Sequence, residues 1–289
     1  MANSIEAALR KDEEEGKYGK IISSVLLTLR NHVTDDKVVV IVEGIDDRRL
    51  YERMYNVGKV IIYVVGNSRH TIEVIKALNP KGYDKRLIGI KDADFDNVNK
   101  KSYSYPNLFL TDWHDAEIVE LESDSVIDTV WNKYMGFKAP IDAIENIYKD
   151  LCELSMLKWA NYNLRLNVVF KRNSIGACVN RGKFDFKIYK ANLLTRNENP
   201  ENKFAKDYRL WYFVHAMRLN SDDMPNITNG HDAVELMYHN IKSQKSLNIA
   251  YKDFAQDIRD SYPVMEYRQT KMAMAIDNWA MKNIGTSLY

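Results

Sequence analysis

The feature that most constrains this chain is a rhythm. Three short apolar runs, VVVIVEG (38–44), KVIIYVVG (59–66) and RLIGI (86–90), alternate with two segments of helical spacing, DDRRLYERMY (46–55) and RHTIEVIKALN (69–79). Each run is short, β-branched and apolar without alternation, the pattern of a strand buried on both faces. The first helical segment sets Leu50, Tyr51, Met54 and Tyr55 on one side, with Asp46 or Asp47 as its N-cap. The second stops at Asn79-Pro80 and Gly82. Strand, helix, strand, helix, strand in so short a span specifies a parallel sheet with crossover helices. NLFL (107–110) supplies a fourth strand.

Acidic residues gather where these strands end. Glu43 closes the first run, and Asp92, Asp94 and Asp96 follow the third in RLIGIKDADFDN. Like charges so close raise one another's pKa unless a cation or a basic group lies between them. Either these carboxylates hold a metal, or they form a solvated turn. An EF-hand loop is excluded, because its sixth and twelfth positions need Gly and Glu, and Asn97 and Tyr103 stand there. In an open α/β sheet ligands bind outside the carboxyl ends of the strands, so Glu43 and the D-x-D are expected at one edge. TDWHDAEIVELE adds Asp112, Asp115 and Glu117; Asp115 and Glu117 read equally as the first turn of a helix. His114 in the same box reads as a proton-transfer group or as a hydrogen-bonded structural residue. Hard divalent cations take such oxygen ligands, and a pair of them can drive phosphodiester cleavage.

The order VVVIVEGIDD, LIGIKDADFD, TDWHDAE resembles the Toprim domain, the topoisomerase–primase fold shared with the overcoming-lysogenization-defect (OLD) nucleases. More narrowly it is similar to the stand-alone Toprim-like effectors of bacterial antiphage defence of the PARIS type, in which the nuclease is paired with an ATPase. The resemblance covers residues 37 to about 122. It implies Glu43 as a metal-ligating or acid–base glutamate, Asp92 and Asp94 as Mg²⁺ ligands, and Asp47 and Glu117 completing the site, with Asp115 as a substitute. Glu43, Asp92, Asp94 and Glu117 are the catalytic residues it implies, with Mn²⁺ able to replace Mg²⁺. Lys91 reads as a phosphate-steadying cation or a snorkelling strand-end lysine. No G-x-x-x-x-G-K-[ST] occurs, so the ATPase is expected on a separate polypeptide.

The expected layout is an N-terminal helical segment (1–36), a Toprim-like α/β domain (37–122) and a mostly helical domain (123–289). Helices are expected at 124–135, 140–160, 205–219, 231–243 and 264–283. Residues 155–210 carry 12 Lys or Arg against 4 Asp or Glu, interleaved with aromatics. Such a stretch reads as a solvated helical face or as a nucleic-acid surface, where cations meet phosphates and rings stack on unpaired bases. Lys158, Arg165, Lys171, Arg172, Arg181 and Lys183 are the candidates. The resemblance favours tRNA, with DNA open, and a homodimer when active. Two other readings stand beside it, a Toprim DNA nuclease and a non-catalytic nucleic-acid-binding subunit. The formal net charge of +1 names no partner. Two cysteines are no disulfide framework, and no apolar run nears the roughly 20 residues a membrane helix needs. A cytoplasmic protein is expected.

Overall fold

The structure, a computed structural model, describes residues 19–170, 173–197, 215, 219–245 and 248–289. Its contacts divide the chain into two compact units. The first comprises residues up to Asp92, Ser102–Thr111 and Val264–Tyr289; the second comprises Ala93–Lys101 and Asp112–Pro263. Both are discontinuous in sequence, whereas the expected domains are contiguous.

The first unit is a parallel four-stranded sheet with flanking helices. In chain order it runs α1 (residues 19–30), β1 (Val38–Val42), α2 (Ile45–Met54), β2 (Val60–Val64), α3 (Ser68–Leu78), β3 (Leu87–Lys91) and β4 (Leu108–Leu110). The strand order is β2-β1-β3-β4, with Val39 paired to Ile61 on one side and to Leu87 on the other. The chain leaves β1 in one direction for β2, then α3 carries it back to β3 on the far side of β1. The topology therefore reverses between β1 and β3.

All five residues of β1 and of β3 are buried, while β2 and β4, at the edges, are partly exposed. Successive strand residues face opposite ways. Val39 and Ile41 join Val25 and Leu29 of α1, Val74, Ile75 and Leu78 of α3, and Leu87 in one apolar cluster. Val38, Val40 and Val42 are buried on the other face. A Cβ at Gly89, in the middle of β3, would come within 3.0 Å of both Ile75 and Leu108; the glycine lets α3 lie close on the sheet.

Residues 264–289, where one helix (264–283) of the helical domain was expected, belong to this sheet unit. They form two helices, Val264–Tyr267 and Lys271–Asn283, because Thr270 caps the second by accepting from the Ala273 N–H. The Tyr55 and Tyr267 hydroxyls meet at 2.6 Å, the Asn56 N–H donates to the Leu288 carbonyl, and Lys59 donates to that of Ser287.

The second unit is mainly helical: α4 (Ala116–Leu121), α5 (Asp124–Met135), α6 (Ala143–Leu164), α7 (Phe186–Arg196), α8 (Met224–Ile227), α9 (Gly230–Gln244) and α10 (Tyr251–Ser261). A two-stranded hairpin, Val179–Asn180 with Lys183–Phe184, precedes α7. The expected helices at 124–135 and 231–243 lie within a residue of α5 and α9, and that at 140–160 overlaps α6. The expected helix at 205–219 lies almost wholly outside the described residues, as do residues 1–18 of the expected N-terminal helical segment. α10 was not expected, although Tyr251, Phe254, Ala255 and Ile258 recur at helical spacing and Phe254 and Ile258 are buried. Among the described residues, no helix is long and apolar enough to cross a membrane.

Candidate functional site

Glu43 follows β1 and Asp92 follows β3, so both lie at the carboxyl ends of adjacent strands, where the topology reverses. The Asp92 N–H donates to Glu43 Oε1 at 3.1 Å. The Glu43 carbonyl also accepts from the Gly66 N–H at 2.8 Å, just past β2. Gly66 has φ +100°, a left-handed backbone that a glycine adopts without a Cβ penalty. Lys91, 3% exposed, donates its ammonium to the Asp92 carbonyl. A buried ammonium is costly unless polar groups compensate it, so this lysine is committed to the strand end and does not snorkel. Two carboxylates and a buried cation therefore meet the ends of β1 and β3.

Asp47 lies one turn into α2 and accepts from the Gly44 N–H at 2.7 Å. Gly44 is the N-cap, where Asp46 or Asp47 was expected; it has no side chain to cap with, and Asp47 at the third helical position supplies only the returning half of a capping box. Asp46 pairs with Arg49 on the surface at 3.0 Å.

The remaining acidic candidates belong to the second unit. Asp94 has φ 49°, which aspartate tolerates better than most residues, and its N–H donates to the His114 carbonyl. Asp96, read from sequence as part of a turn, is 1% exposed and accepts from Lys101 Nζ at 3.2 Å and the Tyr162 hydroxyl at 3.3 Å.

Asp115 caps α4. Its Oδ1 accepts from the Ile118 N–H at 3.0 Å. Its Oδ2 accepts from the Gly230 N–H at 2.7 Å and contacts His114 Nδ1 at 2.9 Å. A Cβ at Gly230 would fall 2.2 Å from Asp115 Oδ1 and 2.4 Å from Glu117 Cβ. The first turn of α9 can approach α4 only because residue 230 is glycine. That gives the glycine of NGHDAVELM (229–237), the segment that opens α9, a physical role.

Glu117 meets His231 Nδ1 at 3.2 Å and Arg259 at 3.9 Å. Burial alone would raise the Glu117 carboxyl, but the His231 hydrogen bond and charge, with Arg259, outweigh it and hold it below the usual range. The same hydrogen bond and charge push His231 up to about 9, against desolvation. His114 is 4% exposed and lies 2.9 Å from Asp115 Oδ2, the contact its structural reading calls for. Arg259 and Asn229, which also contacts Asp115, were missed from sequence, since nothing in their spacing points to α4.

Of the candidate nucleic-acid residues, Lys158 is only 18% exposed and pairs with Asp232 at 2.5 Å. Arg165, Arg181 and Lys183 are exposed. Lys171 and Arg172 lie outside the described residues. Trp159 and Tyr189, aromatics of the same stretch, are buried. Among the described residues, no group of three or more His, Cys, Asp or Glu side chains is gathered so as to hold a metal ion. No protein-family model matches the chain, and no curated protein matches it.

Proposed function

We propose that this chain is a Toprim-like, Mg²⁺-dependent nuclease that acts as a toxic effector in an antiphage defence system of the PARIS type, cutting tRNA under the control of a separate ATPase. What supports this reading is the meeting of Glu43 and Asp92 at the reversal point between β1 and β3, where ligands of open α/β sheets bind. The donor set fits the cation. Mg²⁺ is commonly held by one or two carboxylates, with waters and substrate phosphate oxygens filling the remaining positions, and Glu43 and Asp92 offer oxygen alone. When bound there, Mg²⁺ would polarise a phosphodiester and lower the pKa of a coordinated water.

The protein's own groups do the rest. The Asp92 N–H fixes the orientation of the Glu43 carboxylate. Glu43, half-buried, is the group at hand to take a proton from the attacking water or hydroxyl. Lys91 keeps positive charge at the Asp92 backbone, where an anionic phosphate would otherwise meet only carboxylates. Asp115 and Glu117, engaged with α9, α10 and their own helix, serve in this reading to hold the helical unit together.

The test is to express the wild type and Glu43→Ala in bacteria, with and without the ATPase and a phage trigger, and to sequence the ends of all cellular RNA. New, discrete tRNA ends that need Glu43 are the expected result. Intact RNA with DNA broken only in the wild type replaces it with a DNA nuclease, and no Glu43-dependent cleavage leaves a nucleic-acid-binding subunit.

A further inference from the structure

The second unit holds a cavity of about 560 Å³ that none of the candidate residues lines, well within the range of small-molecule sites. One wall is Asp142, the N-cap of α6, with a single face of that helix on which Glu145, Asn146, Lys149 and Met156 recur at helical spacing. Asn220, from the segment that leads into α8, and Met224, the first residue of α8, line it as well. The lining sorts by chemistry. Met156 is fully buried and Met224 nearly so, and thioether sulfur packs favourably against the edges of aromatic rings. Asp142, Glu145, Asn146, Lys149 and Asn220 are exposed or half-exposed at the rim. Among the described residues, the Asn146 and Asn220 side chains make no hydrogen bond with the rest of the chain.

We propose that this cavity binds an adenine base in the form of a nucleoside, without a phosphate. A flat heteroaromatic ring suits the sulfur-lined interior. A side-chain amide matches the N6/N7 edge of adenine, and a carboxylate accepts from an exocyclic amine. The rim decides against phosphate: two carboxylates oppose one ammonium, so an added phosphate dianion meets net repulsion. The site is separate from the strand-end carboxylates and does not rest on the nuclease reading.

The test is calorimetric titration of the full chain with adenosine, AMP and the oligonucleotide AAA, the last presenting the same base within a strand. Adenosine is expected to bind saturably, with AMP and AAA weaker by about two- to fivefold, the range that exposed charges supply. Glu145→Lys, an exposed change that leaves the core untouched, is expected to weaken adenosine and to reverse its preference over AMP. Asn146→Ala is expected to weaken all three, with unchanged melting as the control for folding. Absence of saturable adenosine binding overturns the proposal, as does binding indifferent to Glu145→Lys. Tighter binding of AAA than of adenosine replaces the free nucleoside with an unpaired base of a strand.

Discussion

The junction of α4 and α9 offers the sharpest quantitative test, through Gly230→Ala. The new methyl would lie 2.2 Å from Asp115 Oδ1 and 2.4 Å from Glu117 Cβ, far inside van der Waals contact. Both neighbours are constrained, Asp115 by the Ile118 and Gly230 N–H groups and Glu117 by its place on α4. Helix α9 must therefore back away. Overpacking of this kind costs about 1–3 kcal/mol. The retreat also breaks the 2.7 Å bond from the Gly230 N–H to a carboxylate that is 5% exposed, and a hydrogen bond to a charged group contributes about 1.5–3 kcal/mol. Together they give a loss of about 2.5–6 kcal/mol. Urea unfolding of the wild type and variant, with and without Mg²⁺, reads it directly.

Because much of the cost is a clash with one carboxylate, Gly230→Ala in an Asp115→Ala background should cost at least about 1 kcal/mol less than in the wild type, which a double-mutant cycle measures. A loss under about 1 kcal/mol, or strict additivity, would refute the packing argument. Stability lost on Asp115→Asn only when Mg²⁺ is present would show instead that Asp115 is a ligand.

Two further predictions concern ion pairs. For the Glu117–His231 pair, the elevated histidine adds stability that is complete below pH 6.5 and lost as pH rises through about 9, while the depressed glutamate adds stability present above pH 4.5 and lost as pH falls below it. The destabilisation caused by His231→Gln should thus be largest near pH 5–6.5 and fade by pH 9; since the ring is 70% exposed, it should not exceed about 1 kcal/mol, and a difference that grows toward pH 9 would contradict the pairing. Lys158→Met should cost about 3 kcal/mol by stranding Asp232, which is 16% exposed, and Asp232→Asn in that background should restore part of it; no coupling in denaturant melts would return Lys158 to the set of free, nucleic-acid-facing cations.

The strands and their order along the chain were legible because the strands of a parallel sheet covered by helices run apolar at nearly every position, as VVVIV and LIGI do at the buried centre and VIIYV does at the half-exposed edge. Glu43 and Asp92 were legible for a related reason: a charge at the end of such a run stands out against it, and parallel strands end on one side of the sheet. Capping was half legible, since Asp47 and Asp46 flank a helix start, yet only the backbone of Gly44 decides which residue is the cap.

Other features depended on contacts between residues far apart in sequence. Residues 264–289 read as one more amphipathic segment, and nothing in their own periodicity says that Tyr267 meets Tyr55. Asp115 and Glu117 carry the same residue types as a metal site; their commitment to Gly230, His231 and Arg259 comes from segments more than 100 positions away. Lys158 counts as a positive charge in any window until Asp232 neutralises it. The sequence by itself determined where polar chemistry interrupts apolar segments, because burial acts on each element through its own pattern. Which charges are paired, and with what, was decided only by tertiary structure, because electrostatic and packing energies depend on distance in space, and a few ångströms separate a ligand from a cap.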